Sequence, residues 1–138
     1  MLLAPKKTKY KKWQKGRSRK KGVENRATQL NFGTFGLKAL GRIWLKASQL
    51  ETIRLVLVRN LKKKGQFWFR VFPYRPVTSK GTEVGMGGGK GSVGYHVCPI
   101  KPGRIIFELD GIKEEMARQI CNKATNKLQV KTKFVKRE

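Results

Sequence analysis

Residues 104–124 read Arg-Ile-Ile-Phe-Glu-Leu-Asp-Gly-Ile-Lys-Glu-Glu-Met-Ala-Arg-Gln-Ile-Cys-Asn-Lys-Ala. Arg104 to Leu109 is a short run rich in β-branched and aromatic residues, which predicts a strand. Beyond Asp110-Gly111 the spacing becomes helical. Ile112, Met116, Ile120 and Ala124, with Ala117, Cys121 and Leu128, make a wide apolar face. Glu114 and Glu115 fall in the first turn, where the helix dipole favours negative charge. Glu108 and Asp110 could share a strand face, but their offset equally suits a strand end and a helix cap. Upstream, Tyr95 to Ile100 predicts a strand that joins Arg104 to Leu109 through a hairpin at Pro102-Gly103. Downstream, Val130 to Val135 predicts a closing strand.

The N-terminal half repeats this mixture. Residues 30–46 suit extended chain, with Phe32, Gly33, Phe35 and Gly36 marking close backbone approaches. Ser48 and Glu51 have capping-box spacing. They open a helix whose apolar stripe is Leu50, Ile53, Leu57 and Leu61, and Gly65 is its predicted stop. Gln66 to Phe72 carries apolar residues on both faces and predicts a central strand, ended by Pro73 and Pro76. Arg70 within it must reach water, a phosphate or a carboxylate. The expected class is α+β: two helices packed on mostly antiparallel strands as a sandwich, with a basic extended N-terminal tail. A length of 138 residues fits one domain, placed at 23–138. Cys98 and Cys121 are the only cysteines and read as buried thiols.

Charge dominates the composition. Thirty-three Lys and Arg face eight Asp and Glu, a formal net charge of +25. Such self-repulsion calls for a polyanionic partner. Residues 1–22 hold ten of these cations and no acid, with Tyr10 and Trp13 interleaved. That segment predicts a tail, extended or disordered until it meets RNA, whose phosphates take the cations while rings stack on bases. Arg54, Arg59, Lys62 and Lys63 fall near the outer side of the first helix and read as an RNA-facing surface, a solvated face being the alternative. Residues 79–94 form a long glycine-rich loop carrying Lys80 and Lys90. No stretch reaches the ~18–20 apolar residues of a membrane span. The first residues lack the apolar core and cleavage site of a secretory signal.

The glycine loop invites a nucleotide-binding reading that its residues fail. A P-loop ending at Gly89-Lys90 needs glycine at 84 and Ser or Thr at 91, where Val84 and Gly91 stand. Gly89, Gly91 and Gly94 fit the dinucleotide spacing but precede a strand where a helix is required. His96 is the only histidine and sits in a strand pattern. No His, Cys or carboxylate cluster suits a metal. Neither an enzyme nor a cofactor is expected.

Several stretches together resemble the bacterial and organellar ribosomal protein L-sixteen family. They are Pro5-Lys6-Lys7-Thr8-Lys9-Tyr10, residues 32–39 from Phe32 to Ala39, Trp68-Phe69-Arg70-Val71-Phe72-Pro73, Met86-Gly87 with Gly89-Lys90-Gly91, residues 107–111 and residues 131–135. Their order and spacing carry the resemblance almost end to end. It implies an α+β sandwich, binding to large-subunit rRNA near the peptidyl-transferase region, and contacts with neighbouring ribosomal proteins. It also implies a glycine loop near A-site tRNA, with the P site as a further contact.

The candidate rRNA contacts are Lys6, Lys7, Lys9, Tyr10, Lys11, Lys12, Trp13, Lys15, Arg17, Arg19 and Lys20 in the tail, then Arg42, Arg54, Arg59, Lys62 and Arg70. The tRNA-proximal set is Lys80, Gly85, Met86, Gly87, Gly88, Gly89, Lys90 and Gly91. The loop departs from the family at Gly85, where Arg is common, and at Gly88, where Lys is frequent. Its tip is therefore less basic than its relatives' tips. The expected setting is an organellar ribosome, a mitochondrion before a plastid, with the bacterial cytoplasm as alternative. Neither a membrane nor a small-molecule substrate is expected. A free-standing RNA chaperone or anionic-surface binder is the alternative function.

Overall fold

The computed structural model describes residues 3–16 and 22–138. In chain order the elements are β1 (Phe35–Ala39), β2 (Ile43–Lys46), α1 (Ala47–Leu61), β3 (Gln66–Phe69), β4 (Arg75–Ser79), β5 (Ser92–Ile100), β6 (Ile105–Asp110), α2 (Glu114–Thr125) and β7 (Thr132–Lys136). They build two antiparallel sheets, ordered β3-β6-β1-β7 and β2-β5-β4. α1 lies against β2 and β5, α2 lies against β1 and β7, and the helices pack on each other. The class is α+β, as the sequence pattern predicts. Both helical stripes face the core: Leu50, Ile53, Leu57 and Leu61 from α1, and Ala117, Ile120, Cys121 and Ala124 from α2, are all buried. Phe107, the largest fully buried side chain, contributes roughly 1.5–3 kcal/mol by its transfer from water. Both cysteines are buried free thiols, and burial pushes the Cys121 thiol up to about 12.

Several local expectations give way to packing. The hairpin at Pro102-Gly103 does not form. β5 and β6 enter different sheets, and Gly103, at φ 98°, donates its amide to Ala39 in β1. The reason is burial. Ile105 to Leu109 is buried on both faces and therefore takes an interior place between β1 and β3. Gln66 to Phe72 is not a central strand: β3 covers only Gln66–Phe69 and lies at the sheet edge. Its aromatic residues on both faces have a separate cause. Phe67 and Phe69 pack on the core edge to face at 5.7 Å, while Trp68 stacks on Phe32 from the segment crossing the opposite face.

Pro76 lies inside a strand rather than ending one. β4 is an edge strand, where a missing amide donor is tolerated. The helix boundaries also shift. α1 begins at Ala47 with Lys46 as N-cap, and the Gln49 side chain accepts the Lys46 amide at 3.0 Å. Ser48 and Glu51 therefore lie within the helix and do not cap it. Lys62, left-handed at φ 45°, ends the helix. Gly65 serves close packing instead, because a Cβ there would lie 2.7 Å from the Asp110 carbonyl. Lys113, not Asp110, is the N-cap of α2, and Asp110 Oδ1 accepts from Thr34 Oγ1 at 2.8 Å.

Candidate nucleic-acid interface

Glu108 organises the outer face of the larger sheet. It is fully buried in β6 and receives four donors. The amides of Phe32 and Gly33 each lie 2.7 Å from Oε2, the Asn31 amide lies 3.2 Å from both oxygens, and Arg70 Nη1 reaches Oε1 at 2.7 Å. Burial alone would push this carboxyl up. The amides of Gly33, Phe32 and Asn31, with Arg70, outweigh it and hold the group below the usual carboxylate range. Gly33 is required here because a Cβ would meet the Leu109 carbonyl at 2.5 Å. Of the three partners open to Arg70, the fold supplies the carboxylate. Its guanidinium also lies 4.9 Å from the Phe32 ring centroid.

The remaining predicted cations separate by what they touch. Arg54 on α1 pairs with Glu51 one turn earlier at 2.6 Å, which holds Glu51 down at about 2. Arg59, Lys62 and Lys63 are exposed at the end of α1, and Arg42 is exposed before β2. In the tail, Lys6, Lys7, Lys9, Tyr10, Lys11, Lys12, Trp13 and Lys15 are all exposed. Among the described residues, the ion pairs engage Arg54, Arg70, Arg104, Arg118 and Lys136. None falls on these tail lysines or on Arg42, Arg59 or Lys62. Predicted contacts Arg17, Arg19 and Lys20 lie outside the described residues.

The tail is held at two places. Leu3 packs against the core, and residues 12–15 lie on the smaller sheet. Arg75 of β4 donates through Nη2 to the carbonyls of Gln14 at 3.0 Å and Lys15 at 2.6 Å. Its guanidinium lies 5.6 Å from the Trp13 ring and 4.9 Å from the Trp44 ring. Arg75 is not among the residues that the sequence pattern singles out. The only local signal is its place between Pro73 and Pro76, which does not reveal what it holds.

The glycine-rich segment is the tip of the β4–β5 hairpin. Pairing of Ser79 with Ser92 leaves residues 80–91 as the loop, shorter than the predicted 79–94. The whole tip from Lys80 to Lys90 is exposed. Gly87, Gly88 and Gly89 hold φ values of 106°, 72° and 97°, a left-handed run that side chains rarely follow. A Cβ at Gly91 would meet the Ser79 carbonyl at 2.6 Å, whereas one at Gly85 would meet nothing within 4 Å. The two lysines turn inward. Lys80 Nζ donates to Gly87 O at 2.8 Å, and Lys90 Nζ donates to Trp13 O. The tip therefore presents glycine backbone, Thr82, Glu83, Val84 and the fully exposed Met86.

The sequence that folds into this basic surface, tethered tail and glycine-tipped hairpin matches a known family along nearly its whole length. Residues 5–135 match the family described as Ribosomal protein L16p/L10e. The chain belongs to that family. It is 48% identical over 134 residues to the large ribosomal subunit protein uL16 of Aeromonas hydrophila, covering 97% of this chain and 96% of the relative. Identity and coverage are the same for the uL16 of Aeromonas salmonicida. Membership makes this a structural ribosomal protein and not an enzyme. Both relatives are bacterial, so they lend no support to the expected mitochondrial setting. Among the described residues, no group of three or more His, Cys, Asp or Glu could hold a metal ion, and no helix is long and apolar enough to cross a membrane.

Proposed function

We propose that this chain is a constituent of the large ribosomal subunit that binds its rRNA and presents the 80–91 hairpin tip to A-site tRNA, with the P site as a second contact. The observation that carries the reading is the division of charge. Four of the acids, Glu24, Glu51, Glu108 and Glu114, pair with cations of the folded core, while the tail lysines, Arg42, Arg59 and Lys62 are exposed and in no ion pair among the described residues. Phosphates complete that arrangement and release counterions. Within this reading residues 1–22 thread RNA, residues 23–138 dock as one domain, and the shape of folded RNA specifies the site. Arg70, like Arg54, is already paired with an acid and acts differently from the exposed candidates. Committed to Glu108, it shapes the surface, and any phosphate it meets is secondary.

The hairpin tip works by backbone approach. With glycine at 85 and 88 and both lysines turned inward, it brings amides and Met86 close to a partner rather than adding cations. The bacterial relatives favour a bacterial-type large subunit without choosing between a cell and an organelle. Co-sedimentation tests the reading. Stoichiometric recovery in large subunits, persisting through a moderate salt wash, is expected. Recovery only in free or membrane fractions overturns it and leaves an RNA chaperone or anionic-surface binder.

A further inference from the structure

We infer that the tail and the glycine hairpin are one composite surface, with Arg75 the positioning residue that locks them together. Contacts from both directions converge on residues 12–15. Lys12 Nζ donates to the Lys90 carbonyl at 3.0 Å, and Lys90 Nζ donates back to the Trp13 carbonyl. Each strap crosses from tail to loop, so neither segment moves without the other. Beneath them Arg75 lies close to the Trp13 and Trp44 rings while its Nη2 holds two successive tail carbonyls. Tyr74 adds a tilted contact to Trp13 at 5.9 Å. Gly16 completes the seat: it is left-handed at φ 71°, and a Cβ there would lie 3.2 Å from Arg75 Nη2.

The site has the character of a built dock. A planar guanidinium suits simultaneous stacking and paired donation, which a lysine cannot reproduce. Its consequence, which rests on the RNA reading above, is that a polyanion on Lys6 to Lys11 also sets the direction of the hairpin tip. RNA folded around the tail would thereby present the loop in a fixed pose, and tail and loop would engage their partners as a unit.

The test is a distance between spin labels at Thr8→Cys and Met86→Cys in the full chain. Both positions are exposed, whereas the native Cys98 and Cys121 are buried and escape labelling. A narrow tail-to-loop distance distribution is expected without RNA, and its loss is expected in Trp13→Ala and in Arg75→Lys. Trp13→Ala removes a surface ring and leaves the core intact, so it keeps the test valid if an Arg75 variant misfolds. A broad distribution in the parent, or a narrow one that survives both substitutions, overturns the inference. Because no RNA is present, a narrow distribution in a protein that fails to enter large subunits would refute the ribosomal reading alone.

Discussion

Replacing Glu108 with Gln removes one charge at nearly constant volume from a fully buried side chain that holds four donors. The carboxylate accepts from three successive amides and from Arg70 and is fully buried. A carboxamide cannot serve that arrangement. Its one oxygen can face the amides or Arg70, and its NH2 then points at donors on the other side. Breaking a buried pair by removing one partner costs about 3–5 kcal/mol. Hydrogen bonds to a charged group are each worth about 1.5–3 kcal/mol, so losing two of the four leads to the same range. Urea unfolding followed by far-UV circular dichroism should show that loss at an unchanged slope. Arg70→Met should cost less, about 1–3 kcal/mol, because three amides still satisfy the carboxylate. The double variant should cost clearly less than the sum of the singles. A loss below about 1 kcal/mol for Glu108→Gln, outside the 3–5 kcal/mol range for a broken buried pair, or strict additivity, would refute the reasoning. If Arg70→Met weakened RNA binding while leaving stability untouched, Arg70 would be a phosphate contact and not part of this anchor.

Acid should weaken the same anchor. The folded Glu108 carboxyl titrates below its unfolded value, so its contribution is fully present above about pH 4.3 and is lost as pH falls through the folded pKa. Unfolding midpoints should decline on acidification in the wild type and decline less steeply in Glu108→Gln, where Glu51 and Glu114 still titrate below their usual values. Gly85→Arg places a side chain where nothing lies within 4 Å, so stability should stay within about 0.5 kcal/mol. If the tip then meets a phosphate, its RNA affinity should gain a salt slope steeper by roughly 0.7–0.9, readable by filter binding, and an unchanged slope would place the tip away from the backbone. Gly91→Ala drives a Cβ into the Ser79 carbonyl at 2.6 Å. It should cost about 1–3 kcal/mol and raise amide exchange along β4 and β5 before β6 is affected.

Much of this protein was legible in its residues. Helical spacing marked the buried faces of α1 and α2 because a 3.6-residue period leaves one solution for Leu50-Ile53-Leu57-Leu61 and for Ala117-Ile120-Cys121-Ala124. The charge excess named a polyanion, and the motif pattern named the family that the comparison with uL16 shows. Extended chain was legible over 30–46 without its division into β1 and β2, and strands were legible at β3, β5, β6 and β7, since short apolar runs declare extended chain. β4 was hidden, because Arg-Pro-Val-Thr-Ser has neither alternation nor an uninterrupted ladder of amides.

Pairing was decided only in three dimensions. A strand's own residues do not say which neighbour it takes. β6 left its sequence neighbour β5 because burial on both faces required partners on both sides. The fate of each cation was equally tertiary. Sequence left Arg70 with three partners open and read Arg59 as an RNA-facing cation, yet one meets a buried carboxylate 38 residues away and the other remains exposed. Arg75 found its two carbonyls 60 and 61 residues back along the chain. Composition alone determined that this chain seeks a polyanion. Long-range contacts, which no local pattern encodes, decided which of its cations remain free to meet it.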